Sequence, residues 1–202
     1  KGTHFRFPKH NLRSKTKAKR PQRVRVKMAE KVCIDDVTKK IEGLHIEKPD
    51  KDYYGLQGLD PKGVLYRACL KEQDIGKDIV SKAKPDTPEA NRTVEQHIAS
   101  GSKKSSRFIS TTVSPEVVNK WATDDQRIIK IDLSKLAGMK PMDEMINLTN
   151  TTVREHFVKG AIHRNWAKSS QEVLFQWCIP KKNARGENVF ELWEDPAKPK
   201  QS

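Results

Sequence analysis

Apolar positions along this chain fall into short runs separated by turn residues. "VLYRACL" at 64–70, "RFISTT" at 107–112, "RIIKIDL" at 127–133 and "EVLFQWCI" at 172–179 read as strands. The last is apolar almost throughout, which predicts a strand buried on both faces. "NVFELWE" near the C-terminus predicts an edge strand. "LDPKG" at 59–63 supplies a turn ahead of the first strand, with Pro61 at the second turn position and Gly63 at the last.

Helices announce themselves by their ends. In "PDTPEANRTVEQHIASG", Thr87 reads as N-cap, Pro88 as the first helical residue and Gly101 as the stop. Ala90, Val94, His97 and Ile98 then share a face. "SPEVVNKWA" repeats this grammar with Ser114 and Pro115, and buries Val118, Trp121 and Ala122. "TVREHFVKGAIHRNWA" places Val153, Phe157, Ala161 and Ile162 at helical spacing, weakened by Gly160. A further short helix is predicted at "DDVTKKIEGL", 35–44. Few helices and irregularly spaced strands favour an α+β domain over a doubly wound parallel sheet.

Charge changes the picture at the N-terminus. The 202 residues hold 40 Lys and Arg against 26 Asp and Glu. Residues 1–29 carry eleven of the basic residues and no acidic one, so the rest is close to neutral. A one-sign block repels its own collapse. The organisation expected is therefore a basic arm at 1–29, a folded domain at 30–195 and a tail at 196–202. The arm reads either as a nucleic-acid-binding or nuclear-targeting segment or as a solubilising linker.

Other classes recede. No run approaches the roughly 20 apolar residues of a membrane helix, so no membrane partner is expected. Cys33, Cys69 and Cys178 are too far apart for a zinc motif and odd in number, which suits a reducing compartment. No Walker loop, GxGxxG, HExxH or nucleophile elbow occurs. The expected setting is intracellular, with a secreted toxin-like protein as the alternative, and the expected state is a monomer.

Three polar residues sit in or beside apolar strands, where each is costly unless paired. Arg67 lies inside "LYRA", Ser110 opens the hydroxyl triplet Ser110-Thr111-Thr112, and Glu172 begins "EVLF". Taken singly, Arg67 reads as an edge residue and Glu172 as a solvated strand start. His97, on the inner face of its helix, reads as a hydrogen-bonded core histidine rather than a base.

Taken together, "LYRA", "SRFISTT" and "SSQEVLF", in this order and on strands, resemble the mono-ADP-ribosyltransferases of the Arg–Ser–Glu class, which includes cholera-toxin-like and pierisin-like enzymes. The resemblance spans roughly 60–182. It implies a split, mostly antiparallel pair of sheets around an NAD cleft. It also implies catalytic roles for Glu172, Ser110 and Arg67, and NAD binding by Arg67, Ser110, Thr111 and Thr112. Glu172 would hydrogen-bond the nicotinamide-ribose 2′-hydroxyl and stabilise an oxocarbenium ion. Acceptor recognition would fall to Trp166, Ser170 and Gln171. The chain departs from the class two residues before Glu172, where Glu or Gln is usual and Ser170 stands; Gln171 is adjacent, and strand alternation turns it to the opposite face.

The implied function is transfer of ADP-ribose from NAD to an acceptor. The basic arm favours a nucleic-acid acceptor, DNA guanine first. A protein acceptor comes next and NAD hydrolysis third. A non-enzymatic nucleic-acid-binding protein is the rival from another class.

Overall fold

The computed structural model describes residues 53–194. The basic arm, the helix expected at 35–44, Cys33 and the C-terminal tail lie outside the described residues.

The described chain is an α+β domain. Its main sheet has the strand order β5-β6-β3-β1-β4-β8, every pairing antiparallel. The strands are β1 (Val64–Leu70), β3 (Phe108–Thr112), β4 (Gln126–Asp132), β5 (Ile146–Asn147), β6 (Glu172–Gln176) and β8 (Phe190–Trp193). A two-stranded sheet pairs β2 (Ile79–Val80) with β7 (Cys178–Ile179). The helices are α1 (Val94–Ser100), α2 (Pro115–Trp121), α3 (Lys140–Asp143), α4 (Thr151–Phe157) and α5 (Ala161–Ser169). Among the described residues, no helix is long and apolar enough to cross a membrane.

Period-2 alternation in β3 and β6 feeds two cores. Ile109, Val173 and Phe175 join one cluster with Leu65, Ile129 and Phe190. Phe108 and Leu174 face the other way, into a cluster with Val94, Val153 and Ala167 from the helices. Burial on both faces of β6 explains its unbroken apolar run.

Three expected elements divide, each for a local reason. The run 172–179 breaks at Trp177, whose φ of 64° no regular strand accommodates. Its N–H donates to the Arg107 carbonyl and its own carbonyl accepts from Ser81, so the chain passes from the main sheet to the small one. The helix expected from Thr87 to Gly101 becomes a 3-10 turn at Pro88–Asn91 and then α1. Arg92 and Thr93 are extended between them, and Thr93 starts α1 through a capping box with Gln96.

The third break lies between α4 and α5. The Glu95 carboxylate accepts the N–H groups of Lys159 at 3.1 Å and Gly160 at 2.9 Å. It also meets His163 Nδ1 at 2.9 Å. A Cβ on Gly160 would come within 2.6 Å of Glu95 Oε1, so any other residue here would push the carboxylate from this position. Ser114 caps α2 with Pro115 in the first turn, as its sequence predicts.

Candidate active site at the parted strands

β1 pairs with β4 along its whole length, from Val64↔Asp132 to Leu70↔Gln126. With β3 it shares a single register pair, Tyr66↔Thr112. Beyond that bridge the two strands part. Arg67 to Leu70 on one side and Phe108 to Ser110 on the other line a cleft of about 560 Å³. That volume lies within the range of small-molecule sites.

Arg67 spans the gap. It lies between Leu65 and Cys69, both buried, on the same face of β1. Its Nη1 donates to the Ser110 carbonyl at 2.6 Å. Its Nε is buried and has no hydrogen-bond partner among the described residues. Burial lowers the Arg67 pKa, yet a guanidinium keeps its charge in proteins. A cation therefore sits at the apex of the cleft, in place of the strand-to-strand hydrogen bonds that β1 and β3 do not make.

Ser110 and Glu172 share a face. The register pairs Ser110 with Leu174 and Thr112 with Glu172, so the serine and the carboxylate are diagonal neighbours. The Ser110 hydroxyl is placed to donate a hydrogen bond to the carboxylate, which favours its ionised form. Glu172 is only 7% exposed, and burial raises its pKa to about 7 against the opposing pull of that bond.

His97 extends the arrangement. Its Nε2 lies 2.8 Å from Ser110 Oγ and its Nδ1 2.7 Å from Ser106 Oγ. Burial, reinforced by the charges of Arg67, Lys82 and Arg92, lowers its pKa to about 4, so the ring is neutral at pH 7. One proton arrangement satisfies every partner. Phe108 N–H donates to Ser106 Oγ at 3.3 Å, and the Ser106 hydroxyl donates to Nδ1. Nε2–H donates to Ser110 Oγ, leaving the Ser110 proton for the carboxylate. His97 is thus a buried, hydrogen-bonded histidine, as its helix face predicts, and it also fixes the direction of the Ser110 hydroxyl. The sequence gives no sign of this second part, because Ser106 and Ser110 meet the ring only through tertiary packing.

The other expected residues divide between cleft and frame. Trp166 and Ser170 line the cleft, while Gln171 is exposed and not in its lining. Gln171 has φ 45° and sits in the turn between α5 and β6. Thr111 Oγ1 donates to the Val173 carbonyl at 2.7 Å and Thr112 Oγ1 to the Ser170 carbonyl at 2.8 Å. Both threonines are fully buried, and neither lines the cleft. They hold β6 and the turn before Glu172 against β3. Lys82 and Lys104, which no local pattern marks, line the cleft together with Arg67. Against these cations the lining offers one carboxylate, Glu172.

A family model described as a domain of unknown function, DUF7587, matches residues 60–185. The chain belongs to this family. The match covers more than half of the chain and contains every residue of the cleft discussed above. No curated protein and no solved structure matches the chain.

Proposed function

We propose that this DUF7587 domain is an NAD-dependent mono-ADP-ribosyltransferase of the Arg–Ser–Glu class. One observation carries the reading. Arg67, Ser110 and Glu172, widely separated in sequence, meet at one cleft, with Arg67 bonded to the Ser110 carbonyl and Ser110 the diagonal neighbour of Glu172 across the β3–β6 register.

Each group has chemistry suited to the reaction. The cations Arg67, Lys82 and Lys104 favour a pyrophosphate, and the planar guanidinium fork matches phosphate oxygens. The Glu172 carboxylate accepts the 2′-hydroxyl of the nicotinamide ribose. It stabilises positive charge at C1′ as the C1′–N bond breaks and nicotinamide departs with the bonding pair. The acceptor's lone pair then forms the new bond to C1′, and the acceptor loses its proton. Ionised Glu172 is the competent form, because a neutral acid offers no such stabilisation.

A second reading, NAD hydrolysis with water as acceptor, is favoured by the exposure of Gln171 away from the cleft lining. Beside Glu172 this leaves Ser170 and Trp166 for an acceptor. The nucleic-acid acceptor rests on the basic arm alone. Nicotinamide release from NAD by the full chain, with water, DNA or mixed protein as acceptor, tests the reading and separates its branches.

A further inference from the structure

A second cavity adjoins the cleft. It is an open groove of about 820 Å³ between the Pro88–Asn91 turn and the C-terminal end of α1. Its cations are Arg92, Lys103 and Lys104, and no carboxylate lines it. None of the three makes an ion pair among the described residues. Glu95, the acidic residue of α1, is engaged by Lys159, Gly160 and His163 and is not in the lining.

Ile98, Gly101 and Lys104 line both the groove and the cleft. At Gly101, which both share, a Cβ would meet nothing within 4 Å, so no atom crowds the backbone there. Pro88, Ile98 and Ala99 give the groove an apolar surface beside its cations. Such a pairing of apolar surface with cationic side chains suits a nucleotide. The base or sugar covers the apolar part, and the phosphates meet Lys and Arg.

We propose that this groove is a phosphate subsite for a nucleotide whose other end occupies the cleft, with Arg92, Lys103 and Lys104 as its anion ligands. The ligand class is a nucleoside diphosphate, free or as half of a dinucleotide. The assignment deepens the reading of the cleft as a nucleotide site and rests on it. The cations would draw the phosphates across Gly101, and Lys104, common to both cavities, would contact them from either side.

Calorimetric titration of the full chain at fixed ionic strength tests this with ADP, adenosine and inorganic pyrophosphate. The proteins compared are the parent, Arg92→Ser/Lys103→Ser/Lys104→Ser, and the charge-preserving Lys103→Arg/Lys104→Arg. The three side chains are outside the core, so a thermal melt should confirm a folded variant. The basic arm is common to all three proteins and cancels in the comparison. ADP should bind the serine variant at least tenfold more weakly and the arginine variant as tightly as the parent. Adenosine should bind all three alike and more weakly than ADP binds the parent. An ADP affinity in the serine variant within twofold of the parent overturns the assignment. So does pyrophosphate binding the parent as tightly as ADP, because the apolar surface would then contribute nothing. Glu172→Gln separates this claim from the transferase reading. If the parent releases no nicotinamide but ADP binding persists in Glu172→Gln and falls in the serine variant, the subsite stands and the transferase reading falls. If nicotinamide is released while the serine variant keeps its ADP affinity, the subsite falls alone.

Discussion

His97 Nε2 sits 2.8 Å from the hydroxyl of Ser110, the diagonal neighbour of Glu172 on the sheet, so one serine lies between a neutral imidazole and a buried carboxyl. Their pKa values are displaced in opposite directions, His97 down to about 4 and Glu172 up to about 7. Both displacements have burial as their first cause. Both are therefore costs to folding, and they fall in different pH ranges.

The Glu172 cost should appear as pH rises. Its folded pKa of about 7 exceeds the ordinary 4.5, so the native state holds the proton more tightly than the unfolded chain. The associated stability is present below pH 4.5 and is lost as pH rises through 7. Glu172→Gln has no proton to lose and should be more stable than the parent at pH 8 by roughly 3 kcal/mol at most, the energy of a displacement of about 2.5 pH units. The difference should vanish near pH 4.5. Denaturant melts at the two pH values check this; equal stability at pH 8 would mean the carboxyl is not buried as described.

The His97 cost should appear as pH falls. A folded pKa near 4, below the ordinary 6.5, means the unfolded chain binds the proton first. That stability is present above pH 6.5 and is lost as pH falls through 4. In the parent the two slopes oppose each other between pH 4.5 and 6.5. Glu172→Gln removes one of them, so its stability should climb steadily over that window. A flat profile in the variant would contradict a neutral, buried His97.

Arg67→Lys should weaken NAD binding by about tenfold or more, because an ammonium cannot both reach the Ser110 carbonyl and present a planar fork. Losing the bond across the strand gap should also cost about 1–2 kcal/mol of stability, since a charged donor is removed from a half-buried carbonyl. Unaltered NAD affinity in a titration would remove Arg67 from the site.

Gly160→Ala should destabilise by about 0.5–1.5 kcal/mol, the usual range for a lost hydrogen bond, because its Cβ would displace the Glu95 carboxylate that accepts from Lys159 and Gly160 just before α5. In a Glu95→Ala background the same change should cost much less, as the carboxylate is then gone. A double-mutant cycle measures this coupling. Additive effects would show that Gly160 serves something other than the approach of Glu95.

How far these features could be read in the sequence depends on how local their causes are. β1, β3 and β4 follow from apolar runs, and the start of α2 from Ser114 and Pro115, because those signals lie within a few residues. The Thr93–Gln96 capping box was equally local in "TVEQ", and it marks α1 better than Thr87 does. β2 and β5 have two residues each and form only because a partner strand is present. The break at Trp177 depends on Arg107 and Ser81, far away in the chain. Arg67, Ser110 and Glu172 stood out as polar residues among apolar ones. The bonds that connect them, and the roles of His97 and Lys104, come from tertiary packing.

Nicotinamide release from NAD decides whether Glu172 drives cleavage of the glycosidic bond. The full chain and Glu172→Gln are incubated with NAD across pH 5.5–9, and free nicotinamide is measured. The parent should release it, with kcat/KM rising through about pH 7 as the carboxylate of the free protein ionises. Glu172→Gln should be slower by roughly 10²-fold or more, with its fold intact. Release that is equally fast from both proteins, or absent from the folded parent with water, DNA and protein acceptors alike, would rule out NAD cleavage driven by Glu172.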